Sequence, residues 1–181
     1  LHQMLQAHRV NEVDEDSSVR FFTTLMDTLS AAGYEHYEIS NFCKPGFHSR
    51  HNTSYWQGIP YLGCGPSAHS FDMHSREWNI PSLEKYIFAI EEKNRLYEKE
   101  ELSLTTRYNE YIMTSLRTRR GIDLPTLKKR FGQALSDYCT SMAVPYLKSN
   151  KLEQQDNHLR LTREGIFVSD GIISDLMFVE E

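Results

Sequence analysis

Tyr34-Glu-His-Tyr-Glu-Ile-Ser-Asn-Phe-Cys-Lys-Pro-Gly46, then Arg50-His-Asn-Thr-Ser-Tyr-Trp56, then Tyr61-Leu-Gly-Cys-Gly-Pro-Ser-Ala-His-Ser70 form the densest stretch of this chain. Polar and aromatic groups are too crowded here for an ordinary core strand, and glycine is too frequent for an ordinary helix. The stretch reads as a strand that delivers a loaded loop, followed by a tight turn. Such an arrangement builds a site rather than a core.

The elements on either side support that reading. Residues 14–32 predict a helix, with Phe22, Leu25, Met26 and Leu29 at helical spacing. Asp14, Glu15 and Asp16 suit its positive end, and Gly33 suits its termination. Tyr34 to Ser40 predicts a strand, with Tyr37 and Ile39 on one face and Glu38 on the other. Asn41 to Gln57 reads as a long loop, Tyr61 to Ser70 as a short strand entering a glycine turn, and Arg76 to Ile80 as another strand. Helix and strand in alternation give the rhythm of an α/β layer or barrel.

Pro81 suits the first position of an amphipathic helix carrying Leu83, Tyr86, Ile87 and Ile90. The charged run Asn94 to Glu101 reads as a linker. Further on, helices are expected at 105–119, 124–131 and 133–146, with Gly121 and Gly132 as stops and Pro145 as a break or kink. Asp156-Asn157 between Leu152–Gln155 and His158–Leu161 reads as a hairpin turn. Thr162 is placed to cap a last helix carrying Ile166, Ile173 and Leu176. Three helices, a hairpin and a helix resemble a winged helix. The expected organisation is thus 1–80, a connecting segment 81–101, and a helical winged-helix-like domain over 102–181.

The 181 residues are 39% hydrophobic and 25% charged, enough to bury a core. No apolar run approaches the roughly 20 residues that span a bilayer. Leu1 to Val10 has no apolar signal-peptide core and no initiating methionine, so the chain is expected to be part of a longer cytoplasmic protein. A net charge of −5 disfavours nucleic acid as the main partner. Cys43, Cys64 and Cys139 match no zinc or iron–sulfur spacing, and their odd number argues against a disulfide framework.

His51 is the leading site candidate. An imidazole ligates iron or zinc well; Tyr55 and Trp56 could cover a flat apolar ligand, and Arg50 could pair with its carboxylate. The competing reading is a loop histidine bonded to backbone. Gly63-Cys64-Gly65 permits close approach of a nucleotide, or is only a structural turn. His69 reads as a packed histidine and Cys43 as a buried or idle thiol. Glu38 is functional inside a barrel, or merely solvated on an open face. Arg117, Arg119, Arg120, Lys128, Lys129 and Arg130 suit either phosphate contacts in a winged-helix nucleic-acid module or solvated helix ends.

Taken together, Tyr37-Glu-Ile-Ser-Asn-Phe, Lys44-Pro-Gly, Arg50-His-Asn-x-x-Tyr-Trp and Tyr61-Leu-Gly-x-Gly-x-x-Ala-His-Ser resemble the oxygen-independent coproporphyrinogen III oxidase family of radical S-adenosylmethionine (SAM) proteins. His158-Leu-Arg-Leu-Thr-x-x-Gly-Ile is similar to the end of that family's C-terminal domain. The resemblance implies a fold of α/β class, the last elements of a partial barrel followed by the helical domain. His-Asn-x-x-Tyr is typical of the HemW haem-chaperone branch. Carried over, His51 is the haem-iron ligand, with Asn52, Tyr55 and Arg50 beside it. Gly63, Cys64 and Gly65 line the SAM pocket, although Cys64 stands where an aliphatic residue is commoner. The family's Cys-x₃-Cys-x₂-Cys motif for a [4Fe–4S] cluster is not in these residues and is expected upstream of Leu1. The resemblance therefore implies haem or porphyrin as ligand, a haem-acceptor protein as partner, and no radical chemistry by this chain alone. Haem delivery and oxidative decarboxylation of coproporphyrinogen III are its two functional readings. The exposed faces of a partial barrel lead one to expect self-association.

Overall fold

The computed structural model describes residues 4, 6, 7, 9, 10 and 12–180. The expectation for Leu1 to Val10 rests partly on residues outside that set. The chain forms two compact units, one up to His48 and one from Ser49 onward.

In the first unit, Asp14 caps helix α1 (Glu15–Ala31) by accepting from the Ser17 amide at 2.8 Å. Met26 is its buried residue, whereas Leu25 stays 44% exposed. Strand β1 (Glu35–Glu38) then pairs antiparallel with β2 (Asn41–Cys43), so part of the expected loop is a hairpin. The His36 ring stacks on Phe42 at 4.2 Å and meets the edge of Phe22 from α1. Glu38 is not solvated. It is buried, accepting from the Ser40 amide and the Asn41 side chain, and these bonds compensate its lost hydration.

The second unit opens with a short helix, α2 (Arg50–Trp56), capped by Ser49. The sequence reading took this segment for loop because seven residues are too few to show a period. Strands β3 (His69–Phe71), β4 (Ser75–Asn79) and β5 (Tyr97–Glu101) form one antiparallel sheet in that order. Helix α3 (Leu83–Glu91) lies in the chain between β4 and β5, capped by Ser82, so it starts two residues after Pro81. β5 corrects the linker expectation: its charged side chains are all exposed on a sheet edge, and its backbone pairs with β4 throughout.

Helix α4 (Leu104–Leu116), capped by Ser103, is followed by β6 (Ile122–Asp123) and α5 (Leu124–Lys148). α5 is two helical segments meeting at Gly132, whose φ of 88° and ψ of 175° open the helix where the sequence placed a stop. Pro145 does not break α5, which runs through it to Lys148 and keeps helical backbone angles there. β7 (Leu152–Gln155) and β8 (His158–Leu161) form the expected hairpin, with β8 between β7 and β6 in the sheet. The anticipated last helix is two: α6 (Arg163–Ile166), capped by Thr162, and α7 (Ser169–Leu176). This helix–strand–helix–helix–hairpin order has winged-helix character. The chain's main core lies here, around Tyr108, Ile112, Leu116, Leu127, Leu159 and Leu176.

Candidate functional site

α2 presents the residues of the Arg50-His-Asn-x-x-Tyr-Trp motif. Ser49 Oγ accepts the Asn52 amide at 3.2 Å and so sets the first turn, in which Arg50 and His51 are both exposed. One turn on, Tyr55 meets the His51 ring edge-on at 4.9 Å, the helical i,i+4 neighbour relation. Tyr55 in turn meets Tyr61 at 4.9 Å, and Tyr61 lies 6.0 Å from Phe71. Reciprocal backbone bonds of 2.9 Å between Tyr61 and Phe71 fix that end of the row. The result is an aromatic row that ends in an imidazole open to solvent. Burial pushes the Tyr61 hydroxyl above its usual range, so it stays neutral at physiological pH.

Trp56 points elsewhere. It is half-buried, its indole N–H has no partner among the described residues, and the Arg117 guanidinium lies 5.4 Å above its ring. Arg117 is the C-cap of α4, so this cation–π contact holds α2 against α4. Trp56 therefore anchors the helix that carries His51 rather than covering a ligand. Sequence reasoning missed the pairing, since 61 positions separate the two residues. Arg76 supplies a further tie, reaching Glu110 of α4 from β4 at 2.7 Å.

The Gly63–Gly65 segment is brought together as a turn and clamped. The Gly63 amide donates to Ser70 Oγ at 3.0 Å, and the Gly65 amide to Tyr86 Oη of α3 at 3.1 Å. The Asn79 amide group donates to the Gly65 carbonyl at 2.8 Å and to that of Gly63 at 3.3 Å. Asn79 is itself held by Arg95 Nε at 2.7 Å, and Arg95 also pairs with Glu77 at 2.8 Å. Neither Asn79 nor Arg95 stood out in the sequence, because their partners come from distant strands. Cys64 projects outward and is exposed. His69 corrects the packed reading. It sits on the exposed face of β3, its ring 5.8 Å from Trp78.

Of the basic cluster, Arg117 lies over Trp56, Arg120 lies near Asp123 at 3.6 Å, and Arg130 covers Tyr111 and Phe131. Lys128 and Lys129 are exposed.

Residues 102–168 match the model of the HemN C-terminal domain. The chain is 26% identical over 172 residues to the Bacillus subtilis heme chaperone HemW, covering 94% of this chain and 45% of that protein. It is 29% identical over 165 residues to the Mycobacterium tuberculosis heme chaperone HemW, covering 91% and 40%. Its fold matches the Escherichia coli coproporphyrinogen III oxidase (HemN), a radical SAM enzyme, at a TM-score of 0.68 and 15% identity, over 98% of this chain and 45% of that one.

The chain is HemN/HemW-like.

It is similar to haem-related radical SAM proteins, and it spans less than half the length of the curated relatives it matches. The residues of this HemN/HemW-like chain do not fit a [4Fe–4S] cluster. Cys43 and Cys139 are buried, Cys64 is exposed, and among the described residues no three thiols converge. At His51 the chain offers an exposed imidazole with aromatic edges behind it and a cation next to it in sequence. Among the described residues, no helix is long and apolar enough to cross a membrane.

Proposed function

We propose that this chain binds haem through His51 and serves in haem delivery as part of a longer radical SAM protein in the cytoplasm. The observation that carries this reading is the exposed His51 ring at the end of the Tyr55–Tyr61–Phe71 row. A neutral imidazole has a lone pair for an axial site on iron, and stacked or edge-on aromatics give a porphyrin face an apolar neighbour. Arg50 offers a guanidinium to a propionate, and the Ser49 cap and the Trp56 anchor hold the helix. Haem itself supplies the iron, with its open axial position.

In this reading Gly63, Cys64 and Gly65 border the place of SAM. Their amides at 63 and 65 are already bonded within the protein, so the turn contributes shape and the outward Cys64 side chain. The thiolates of a [4Fe–4S] cluster belong to a part of the protein outside these residues. The acceptor of the haem is a second protein.

The test is a haemin titration followed through the Soret band in a Cys64→Ser background, which removes the exposed thiol as a rival ligand. The unsubstituted His51 should shift the band, and His51→Ala should weaken binding by at least about tenfold, the scale on which metal-site substitutions act. His69→Ala, which removes another exposed imidazole, should leave the titration unchanged. A Soret shift that survives His51→Ala intact overturns the assignment.

A further inference from the structure

The first unit brings three unlike donor groups together. Glu35 stands directly across the β1–β2 hairpin from Cys43. The chain then reverses through Lys44-Pro45-Gly46-Phe47, closed by the Phe47 amide on the Lys44 carbonyl at 2.9 Å. Pro45 suits the second position of that turn, and Gly46, at φ 81°, suits the third, a left-handed position that favours glycine. The reversal carries His48 back over β1, where its ring meets the edge of Tyr37 at 4.8 Å. His48 Nε2 ends 3.4 Å from Glu35 Oε2, and the donor atoms of Glu35, Cys43 and His48 all lie within 4.8 Å of one another.

We infer that Glu35, Cys43 and His48 form a binding site for a divalent transition-metal cation of the zinc type. A sulfur, an imidazole nitrogen and a carboxylate oxygen are the donor set such ions take, whereas calcium and magnesium prefer oxygen alone. The spacing fits. With metal–ligand distances of about 2.0–2.3 Å, ligands on a tetrahedral ion sit roughly 3.3–3.6 Å apart. His48 and Glu35 already stand at 3.4 Å. Cys43 reaches the same point by small rotations of its two partners, whose side chains are partly exposed (36% for Glu35, 43% for His48) and free to adjust. Three protein ligands leave a fourth position for water, as in exchangeable rather than closed sites. Burial and the Glu35 carboxylate both hold the Cys43 thiol protonated in the free protein. On binding, that proton passes to solvent as the metal–sulfur bond forms, and the cation's charge offsets the thiolate's. The site is independent of the haem reading, since it shares no residue with it.

Cobalt(II) titration of the full chain, in the same Cys64→Ser background and without haem, tests this. One equivalent should produce a thiolate-to-cobalt charge-transfer band and the visible bands of a tetrahedral ion, and zinc should displace it. His48→Gln, a substitution at an exposed position outside the hairpin, should weaken cobalt binding by at least about 100-fold, the upper end of the effect of losing a supporting group alone. Cys43→Ala should abolish the charge-transfer band while circular dichroism reports the fold. Absence of the band in the parent chain, or a band that persists in both variants, overturns the inference.

Discussion

Gly63 has no room for a side chain. A Cβ there meets the His69 carbonyl oxygen at 2.1 Å, a backbone atom that cannot move aside. Gly63→Ala should destabilise the second unit by about 1–3 kcal/mol, the usual cost of overpacking, and thermal unfolding will read it. Asp72 makes a prediction in pH. It accepts the amides of His74 and Ser75 and the Ser75 hydroxyl, and these bonds bring its carboxyl down to about 2. Because the folded value lies below the unfolded one, the contribution is complete above about pH 4 and is lost as pH falls toward 2. Asp72→Asn should flatten that part of the stability profile in acid unfolding followed by circular dichroism. Residues of this kind were half legible. Gly63 belongs to a visible Gly-x-Gly, but the close approach of the backbone at His69, which leaves no room for a Cβ, shows only in the folded chain. Glu38 shows the limit more clearly, since its burial depends on a hairpin partner that the local pattern did not announce.

Among the elements, the β7–β8 hairpin was read directly from Asp156-Asn157. Both residues have positive φ, 48° and 63°, as a two-residue turn matching the strand twist requires. Asn157→Val should cost about 1–2 kcal/mol, since a branched side chain resists that backbone region, and urea unfolding will show it as a lower midpoint. Long amphipathic helices and the Gly132 break were equally plain, because their signals repeat within a few residues. β2, α2 and β5 were not. α2 is held by its Ser49 cap and by contacts to distant residues such as Arg117 and Tyr61, and β5 is a charged edge that pairs with β4. Short elements of this sort draw their stability from partners distant in sequence, which no window of neighbouring residues contains.

At the scale of the whole molecule, apolar side chains remain uncovered. On α3, Leu83 is 61% and Phe88 65% exposed, and in the preceding loop Leu62 reaches 74%. A surface of this kind associates with itself when nothing else covers it. Sedimentation should show concentration-dependent association, and Leu83→Glu with Phe88→Glu should return the chain to a monomer without lowering its unfolding temperature. An unchanged distribution would remove the apolar face as its cause.

From residue order alone came the mixed helix-and-strand character, the long helices, the Thr162 cap, the Gly132 break, the hairpin turn, and His51 within its motif. All of these are written in spacing and residue type over a few positions. Only the folded chain decided that His51 rides on a helix with Tyr55 and Tyr61 behind it, that Trp56 anchors rather than covers, and that Glu35, Cys43 and His48 converge. Those facts depend on contacts between residues far apart in sequence, and such contacts exist only once burial and backbone pairing have fixed where each element lies.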